Sequence, residues 1–257
     1  MNYLKLFLPL VSLLWLPTVQ AQQHAGQYDI ADIAYGAQLF AERCVVCHGP
    51  NGDLLPQANF RTGTFRNASS DRDLQRVIRD GVQGTAMAAT GYADAELTAL
   101  VAFLRNITSY DGSGLTIGDA DAGKAIFEGK GDCLSCHRVG TSGPSYAPPL
   151  TSIGMSRTAA VLRRVLIDPV DGMMPINRPV HAVLANGRVV EGRRLNEDTF
   201  SVQLITKEER LVSLDKRSLR EYEIGTESAM PAYGEIYSDQ EIADLLAYLL
   251  SLKGFQP

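Results

Sequence analysis

Cys44-Val45-Val46-Cys47-His48 and Cys133-Leu134-Ser135-Cys136-His137 decide how the rest of the 257-residue chain is read. Both are CxxCH, the attachment signature of c-type haem. Two thiols three positions apart can add to the two vinyl groups along one edge of a porphyrin, and the adjacent His then meets the iron as its proximal ligand. The motifs consume all 4 cysteines, Cys44, Cys47, Cys133 and Cys136, so no disulfide is expected. Zinc is the competing chemistry for Cys and His, but no further cysteines are present to complete four-coordinate sites.

The features around each motif repeat in order. Ala34-Tyr35-Gly36-Ala37-Gln38-Leu39-Phe40 leads into the first and Ala122-Gly123-Lys124-Ala125-Ile126-Phe127 into the second, with a Gly four residues ahead of a Phe in both. Downstream, Gly81-Val82-Gln83-Gly84-Thr85-Ala86-Met87 is a glycine-rich loop able to bring Met87 to a porphyrin face, and Ser228-Ala229-Met230-Pro231-Ala232-Tyr233 offers Met230. Each Met precedes an apolar stripe of helical spacing, Leu97, Leu100, Val101 and Leu104 in one half and Ile242, Leu245, Leu246 and Leu249 in the other. Asp94 and Ser238 stand where N-caps belong, and only Ser238, with Glu241 three residues on, makes a capping box. Met173 and Met174 are rivals of Met230 as sixth ligand. The remaining histidines, His24 in the polar start of the mature chain and His181 in a predicted strand, read as bystanders.

On these residues both halves resemble mono-haem cytochrome c domains of the small all-helical type, over about residues 30–108 and 117–254. The resemblance implies that Gly36 and Gly123 let the first and last helices of each domain cross closely. It also implies His48/Met87 and His137/Met230 as axial pairs on two haem c groups. Such families place Pro after the ligand Met; Met230 has Pro231, whereas Met87 departs with Ala88. They also turn a backbone carbonyl toward the ring N–H of the ligand His, which sets its tautomer. Pro148-Pro149-Leu150 fits that role; the first half offers Pro56 or the stretch Gln57-Ala58-Asn59-Phe60, and the sequence does not choose between them.

The span from His137 to Met230 is more than twice that from His48 to Met87, and the surplus has the texture of strands. Val180–Leu184 runs into Asn186-Gly187, a strong hairpin signal, followed by Val189–Arg193, Phe200–Ile205, Leu211–Leu214 and Glu221–Ile224. Residues 178–225 therefore read as four or five antiparallel strands curled into a small SH3-like barrel that hides its edges. The outline resembles bacterial cytochrome c domains with such an insertion before a Ser-x-Met-Pro ligand loop. The expected fold class is mainly α, two helical domains in tandem at residues 22–111 and 119–257, the second interrupted by the barrel. Residues 112–118 form a linker that permits the two to pack or to hinge.

With 45% hydrophobic and 21% charged residues the chain is ordinary globular material, and a net charge of -5 without a Lys/Arg block excludes a nucleic-acid binder. Residues 1–21 carry Lys5, an apolar stretch from Leu6 to Leu16 and small residues before Ala21, a secretory signal that predicts a periplasmic protein. An uncleaved anchor is the alternative and the one route to a membrane, although Pro9 and Pro17 interrupt the stretch. The expected role is electron transfer from a donor dehydrogenase of the quinoprotein kind to an oxidase or another cytochrome, the partners following from the family resemblance alone. Two other classes compete: a dihaem peroxidase-like enzyme with one exchangeable iron, and a partner-docking protein whose β insertion is the active part. An enzyme of that kind needs acid/base side chains over an open site, and no distal His stands out.

Overall fold

The computed structural model describes residues 27–63, 65, 68, 70–110, 112 and 115–255. The expected signal at 1–21, His24, residue 111 at the end of the first expected domain and linker positions 113 and 114 lie outside the described residues.

In the first half, α1 (Ile30–Arg43) starts at Asp29, whose carboxylate accepts the Ala31 N–H at 2.8 Å. Helix α1 runs directly into α2 (Val45–His48), the first CxxCH. Ser70 and Asp73 close a capping box on α3 (Asp71–Asp80). The last helix of this half is α4 (Asp94–Asn106). Its N-cap is Ala93 rather than Asp94, because Glu96 reaches back to accept the Ala93 N–H at 2.8 Å. Asp94 sits inside the first turn, where its charge still complements the helix dipole.

In the second half, α5 (Ala120–Glu128) precedes a short 3-10 turn at Cys133–Ser135. Three short helices follow, α6 (Ile153–Ser156), α7 (Ala159–Ile167) and α8 (Pro169–Gly172), and the closing helix is α9 (Asp239–Ser251). Ser238 and Glu241 form the expected capping box on α9.

The same crossing organises both halves. A Cβ on Gly36 would stand 2.0 Å from the Ala99 carbonyl oxygen of α4, and one on Gly123 would stand 1.9 Å from that of Asp244 on α9. Directly beyond each contact an aromatic pair closes the seam, Phe40 with Phe103 at 5.2 Å between centroids and Phe127 with Tyr248 at 5.1 Å. The helix-crossing role expected of these two glycines is what the backbone contacts show.

The halves are packed rather than hinged. Tyr35, Leu97 and Leu100 belong to the same buried cluster as Phe127, Leu245 and Leu246. Asp32 of α1 accepts the Ala160 N–H at the start of α7 (3.0 Å), and Lys253 reaches Glu96 of α4 at 2.5 Å. Both carboxylates are buried, and burial pushes that of Asp32 above its usual range. The end of the linker is also fastened, since the Gly118 N–H donates to the Ala243 carbonyl (3.1 Å) and the Asp119 N–H to the Asp244 side chain (2.8 Å).

The insertion is strands, as expected, but its architecture differs from a closed barrel. Strands β1 (Pro179–Leu184), β2 (Val189–Glu197), β3 (Ser201–Ile205), β4 (Leu211–Asp215) and β5 (Leu219–Ile224) form one antiparallel sheet of order β4-β3-β2-β1-β5. Edges β4 and β5 do not pair with each other, so the sheet is open and the fold is mixed α and β rather than mainly α. The reason lies in the 3-10 turn Lys216–Ser218, which carries the chain from one edge to the other without a ladder between them. Val180, Ala182, Val202, Leu204 and Leu214 form a separate small core on the concealed face. A side chain supplies the closure that the backbone lacks. Glu197 of β2 pairs with Arg194 and accepts from Lys216 in the turn at 2.7 Å and from the Tyr222 hydroxyl of β5 at 2.8 Å.

Two outcomes follow from this packing. Gly36→Ala and Gly123→Ala each force backbone apart and should destabilise by ~1–3 kcal/mol or more, read as a lowered unfolding midpoint in denaturant. The Lys216 ammonium is the first cause that holds the Glu197 carboxyl down at about 2 from an ordinary 4.5. That stabilisation is present above about pH 4.5 and lost as pH falls toward about 2, so acid titration followed by circular dichroism should lose a step in Glu197→Gln.

Candidate functional site

Each CxxCH is a tight turn, the first directly at the end of α1 and the second four residues beyond α5, after a helix that the glycine crossing holds in place. His48 N–H donates to the Cys44 carbonyl at 2.9 Å and His137 N–H to that of Cys133 at 2.9 Å, so the first Cys and the His of each motif share one turn. All four thiols are free. Cys44 and Cys133 are half-buried, with burial pushing both thiols up, while Cys47 and Cys136 are exposed.

The two histidines differ in what faces their second nitrogen. His137 Nδ1 lies 2.8 Å from the Pro148 carbonyl oxygen, the partner expected of Pro148-Pro149-Leu150. The carbonyl can only accept, so Nδ1 carries the proton and Nε2 is left as the ligating atom. The loop is fixed by Ala147 N–H to the Cys136 carbonyl (3.1 Å) and Leu150 N–H to that of Arg138 (2.8 Å). Gly143, at φ 88, passes so close that a Cβ would meet the His137 carbonyl oxygen at 2.1 Å.

In the first half neither expected candidate supplies a carbonyl. The His48 ring stacks on Phe60 (4.8 Å, 29°), and Phe60 stacks in turn on Phe65 at 5.6 Å. His48 Nδ1 is buried with no hydrogen-bond partner among the described residues. Burial is the first cause that lowers the pKa of each ring; at His137 the Pro148 carbonyl opposes it and the Arg193 charge adds to it. A lowered pKa keeps imidazole neutral, the form that binds metal.

The methionine loops repeat in geometry although their sequences differ. The Met87 N–H donates to Thr85 Oγ1 at 3.2 Å and the Met230 N–H to Ser228 Oγ at 3.0 Å. Gly81, at φ 73, lets the Val82 N–H reach the Met87 carbonyl (2.9 Å) and close the first loop. Both methionines pack half-buried against the main core, whereas Met174 is exposed with its sulfur against Arg157. His181 sits in β1, as expected, with Nδ1 at 3.2 Å from Glu191 of β2.

One repeated contact escaped the sequence reading. The Arg43 guanidinium lies over the Tyr92 ring (5.3 Å to its centroid) and the Lys130 ammonium over the Tyr237 ring (4.8 Å). Each joins the residues just ahead of CxxCH to the residue just ahead of the last helix. Lys130 also pairs with Glu241, and its carbonyl accepts from the Tyr237 hydroxyl at 3.0 Å. Each latch ties the segment that follows the Met to residues ahead of the cysteine motif. The available clue was an aromatic before the final helix in each half, at a different distance from its Met.

The donor set fits a macrocycle that brings its own four nitrogens. Among the described residues no three His, Cys, Asp or Glu side chains converge on a metal-sized site, and each motif instead presents free thiols beside one neutral imidazole. Among the described residues, too, no helix is long and apolar enough to cross a membrane.

Residues 31–104 match the family described as cytochrome c oxidase, cbb3-type, subunit III. The match runs from α1 through the first CxxCH and Met87 to α4, supports a c-type cytochrome domain there and implies haem c. No curated protein matches the chain in sequence. A solved reducing HAO-like protein complex from Kuenenia stuttgartiensis is similar at 17% identity, covering 85% of this chain and 95% of that one, with a TM-score of 0.26. That superposition is too poor to amount to a common overall arrangement.

Removing one latch should loosen one half alone. Tyr92→Leu and Tyr237→Leu each forfeit ~0.5–2 kcal/mol of cation–π attraction. Hydrogen exchange should quicken around Met87 in the former and around Met230 in the latter, with the other loop unchanged.

Proposed function

We propose that the chain is an exported dihaem c-type cytochrome that passes single electrons between redox proteins in the periplasm. One observation carries this reading: glycine crossing, CxxCH turn, hydroxyl-braced Met loop and cation–π latch all occur twice, in the same order, around one shared core. A single ligand site would not call for two copies of so specific an arrangement.

In this reading Cys44 and Cys47 hold one haem covalently and Cys133 and Cys136 the other. His48 and Met87 would ligate the iron of the first, and His137 and Met230 that of the second. When bound, each haem supplies a one-electron iron couple, which His/Met ligation sets higher than more donating ligands would. The latches and the hydroxyl-to-Met hydrogen bonds keep the thioether loops shut, which favours electron exchange over binding of a small substrate. Donor and acceptor would be proteins, a quinoprotein-type dehydrogenase on one side and an oxidase or another cytochrome on the other. The net charge of -5 favours encounter with a basic partner surface.

The purified full chain should carry two covalently attached haems by mass and by haemochrome absorbance. Its ferric near-infrared spectrum should show Met-to-iron charge transfer, of which Met87→Ala removes one share and Met230→Ala the rest. One haem or none, immediate cyanide binding at both irons, or turnover of peroxide by the wild type would overturn the carrier reading, the last in favour of an enzyme.

A further inference from the structure

The β sheet touches the second CxxCH loop at one place, and the contacts there form a chain that ends on His137. Arg193 of β2 donates from Nε to the Tyr146 carbonyl at 2.5 Å and from Nη2 to the Ser145 carbonyl at 3.4 Å. From the turn between β3 and β4, Glu209 accepts the Ser145 N–H at 2.5 Å and faces the Arg138 guanidinium at 3.6 Å. The next residues are Ala147, bonded to the Cys136 carbonyl, and Pro148, whose carbonyl meets the His137 ring at 2.8 Å.

The charge on Arg193 separates this contact from incidental packing. Glu209 is placed by its own hairpin: at φ 56 it is the left-handed residue that closes the three-residue turn between β3 and β4, where its N–H donates to the Thr206 carbonyl at 2.9 Å and the Thr206 N–H to the Arg210 carbonyl at 3.0 Å. Among the described non-glycine residues the only other positive φ belongs to Asp132 (φ 47), directly ahead of Cys133. Arg193, for its part, is half-buried with its guanidinium on carbonyl oxygens, and no described carboxylate pairs with it. An unneutralised positive charge beside a metal centre favours the reduced, less positive form.

We propose that the inserted sheet is a positioning element for the second centre. Arg193 and Glu209 hold the Ser145–Pro148 loop so that the Pro148 carbonyl orients His137, and the Arg193 charge raises the reduction potential of that centre alone. The first half, with no inserted sheet and Phe60 beside His48, lacks this control and serves as an internal reference.

The proposal rests on the second motif carrying haem, and the test keeps the two apart. Holoprotein of wild type, Arg193→Gln, Arg193→Lys and Glu209→Ala is first checked for two covalent haems, then titrated spectroelectrochemically, with the centres assigned through Met87→Ala and Met230→Ala. Arg193→Gln should weaken reduction of the second centre about tenfold, about 59 mV for one electron, and leave the first unmoved. Arg193→Lys, which keeps the charge but not the two-pronged contact, should recover most of the potential while the ferric electron paramagnetic resonance signature of the second centre stays altered. Glu209→Ala should alter that signature and not the first. With both haems bound, potentials and signatures unchanged at the second centre, or shifted equally at both, overturn the proposal. A wild type without haem on Cys133 and Cys136 overturns instead the dihaem reading beneath it.

Discussion

Backbone laid on backbone at Gly36 and Gly123 is the constraint from which each half takes its shape. An α-helix carries its side chains on a cylinder that normally keeps neighbouring axes 8–10 Å apart. Removing one Cβ at the crossing lets the carbonyls of Ala99 and Asp244 come to where that carbon would have been. The crossing then fixes two things at once. The C-terminal end of α1 leads directly, and that of α5 after four residues, into a CxxCH turn, and the N-terminal end of α4 or α9 follows a Met segment that packs against the same core. The aromatic pairs Phe40/Phe103 and Phe127/Tyr248 fill the space beside the contact and keep the angle.

Within that common frame the two imidazoles sit in unlike surroundings. His137 faces a carbonyl that can only accept, so its ring has one tautomer and one orientation. His48 lies against a stack of Phe60 and Phe65, which confines the ring without telling its nitrogens apart. Two imidazoles in one core under different restraints differ in basicity at Nε2, because a hydrogen bond donated by Nδ1 raises the donor strength of Nε2. The shared core, with Asp32 and Glu96 buried across the boundary, joins the two halves by contacts beyond the linker.

What was legible in the sequence was chemistry set by local spacing. CxxCH, the Gly-to-Phe interval, the Ser238/Glu241 box and Asn186-Gly187 each act within a few residues, and a pattern that short survives in the order of letters. Pro148 was legible because proline next to a second proline leaves few conformations for its carbonyl. Other features depend on where distant segments meet. Among the described residues His48 Nδ1 has no acceptor and its ring lies against Phe60 and Phe65, and no local pattern announces that. Arg43 with Tyr92 and Lys130 with Tyr237 pair across the span from motif to final helix, and the Tyr stands at a different offset from Met in each half. The open sheet follows from a single 3-10 turn, a local detail too small to distinguish from an ordinary hairpin. Asp94 misled because a carboxylate serves a helix start almost as well one position inside it.

A long insertion separates His137 from Met230 in the sequence. Loop closure entropy grows only with the logarithm of length, so the added residues cost little even if they were slack. They are not slack. The Gly225 N–H donates to the Pro179 carbonyl at 2.8 Å, so the sheet leaves the helical domain close to where it entered, and its apolar face is satisfied by its own small core. The segment that returns to the site is then tied by contacts of its own: Tyr233 donates to the Gly131 carbonyl at 3.2 Å, Tyr237 to that of Lys130, and Ser228 braces Met230. Met230 is therefore placed by contacts within the helical domain, and the sheet meets the His137 loop through Arg193 and Glu209. If His137 and Met230 ligate iron as proposed, an element inserted between them adjusts one while leaving the other where the helices put it.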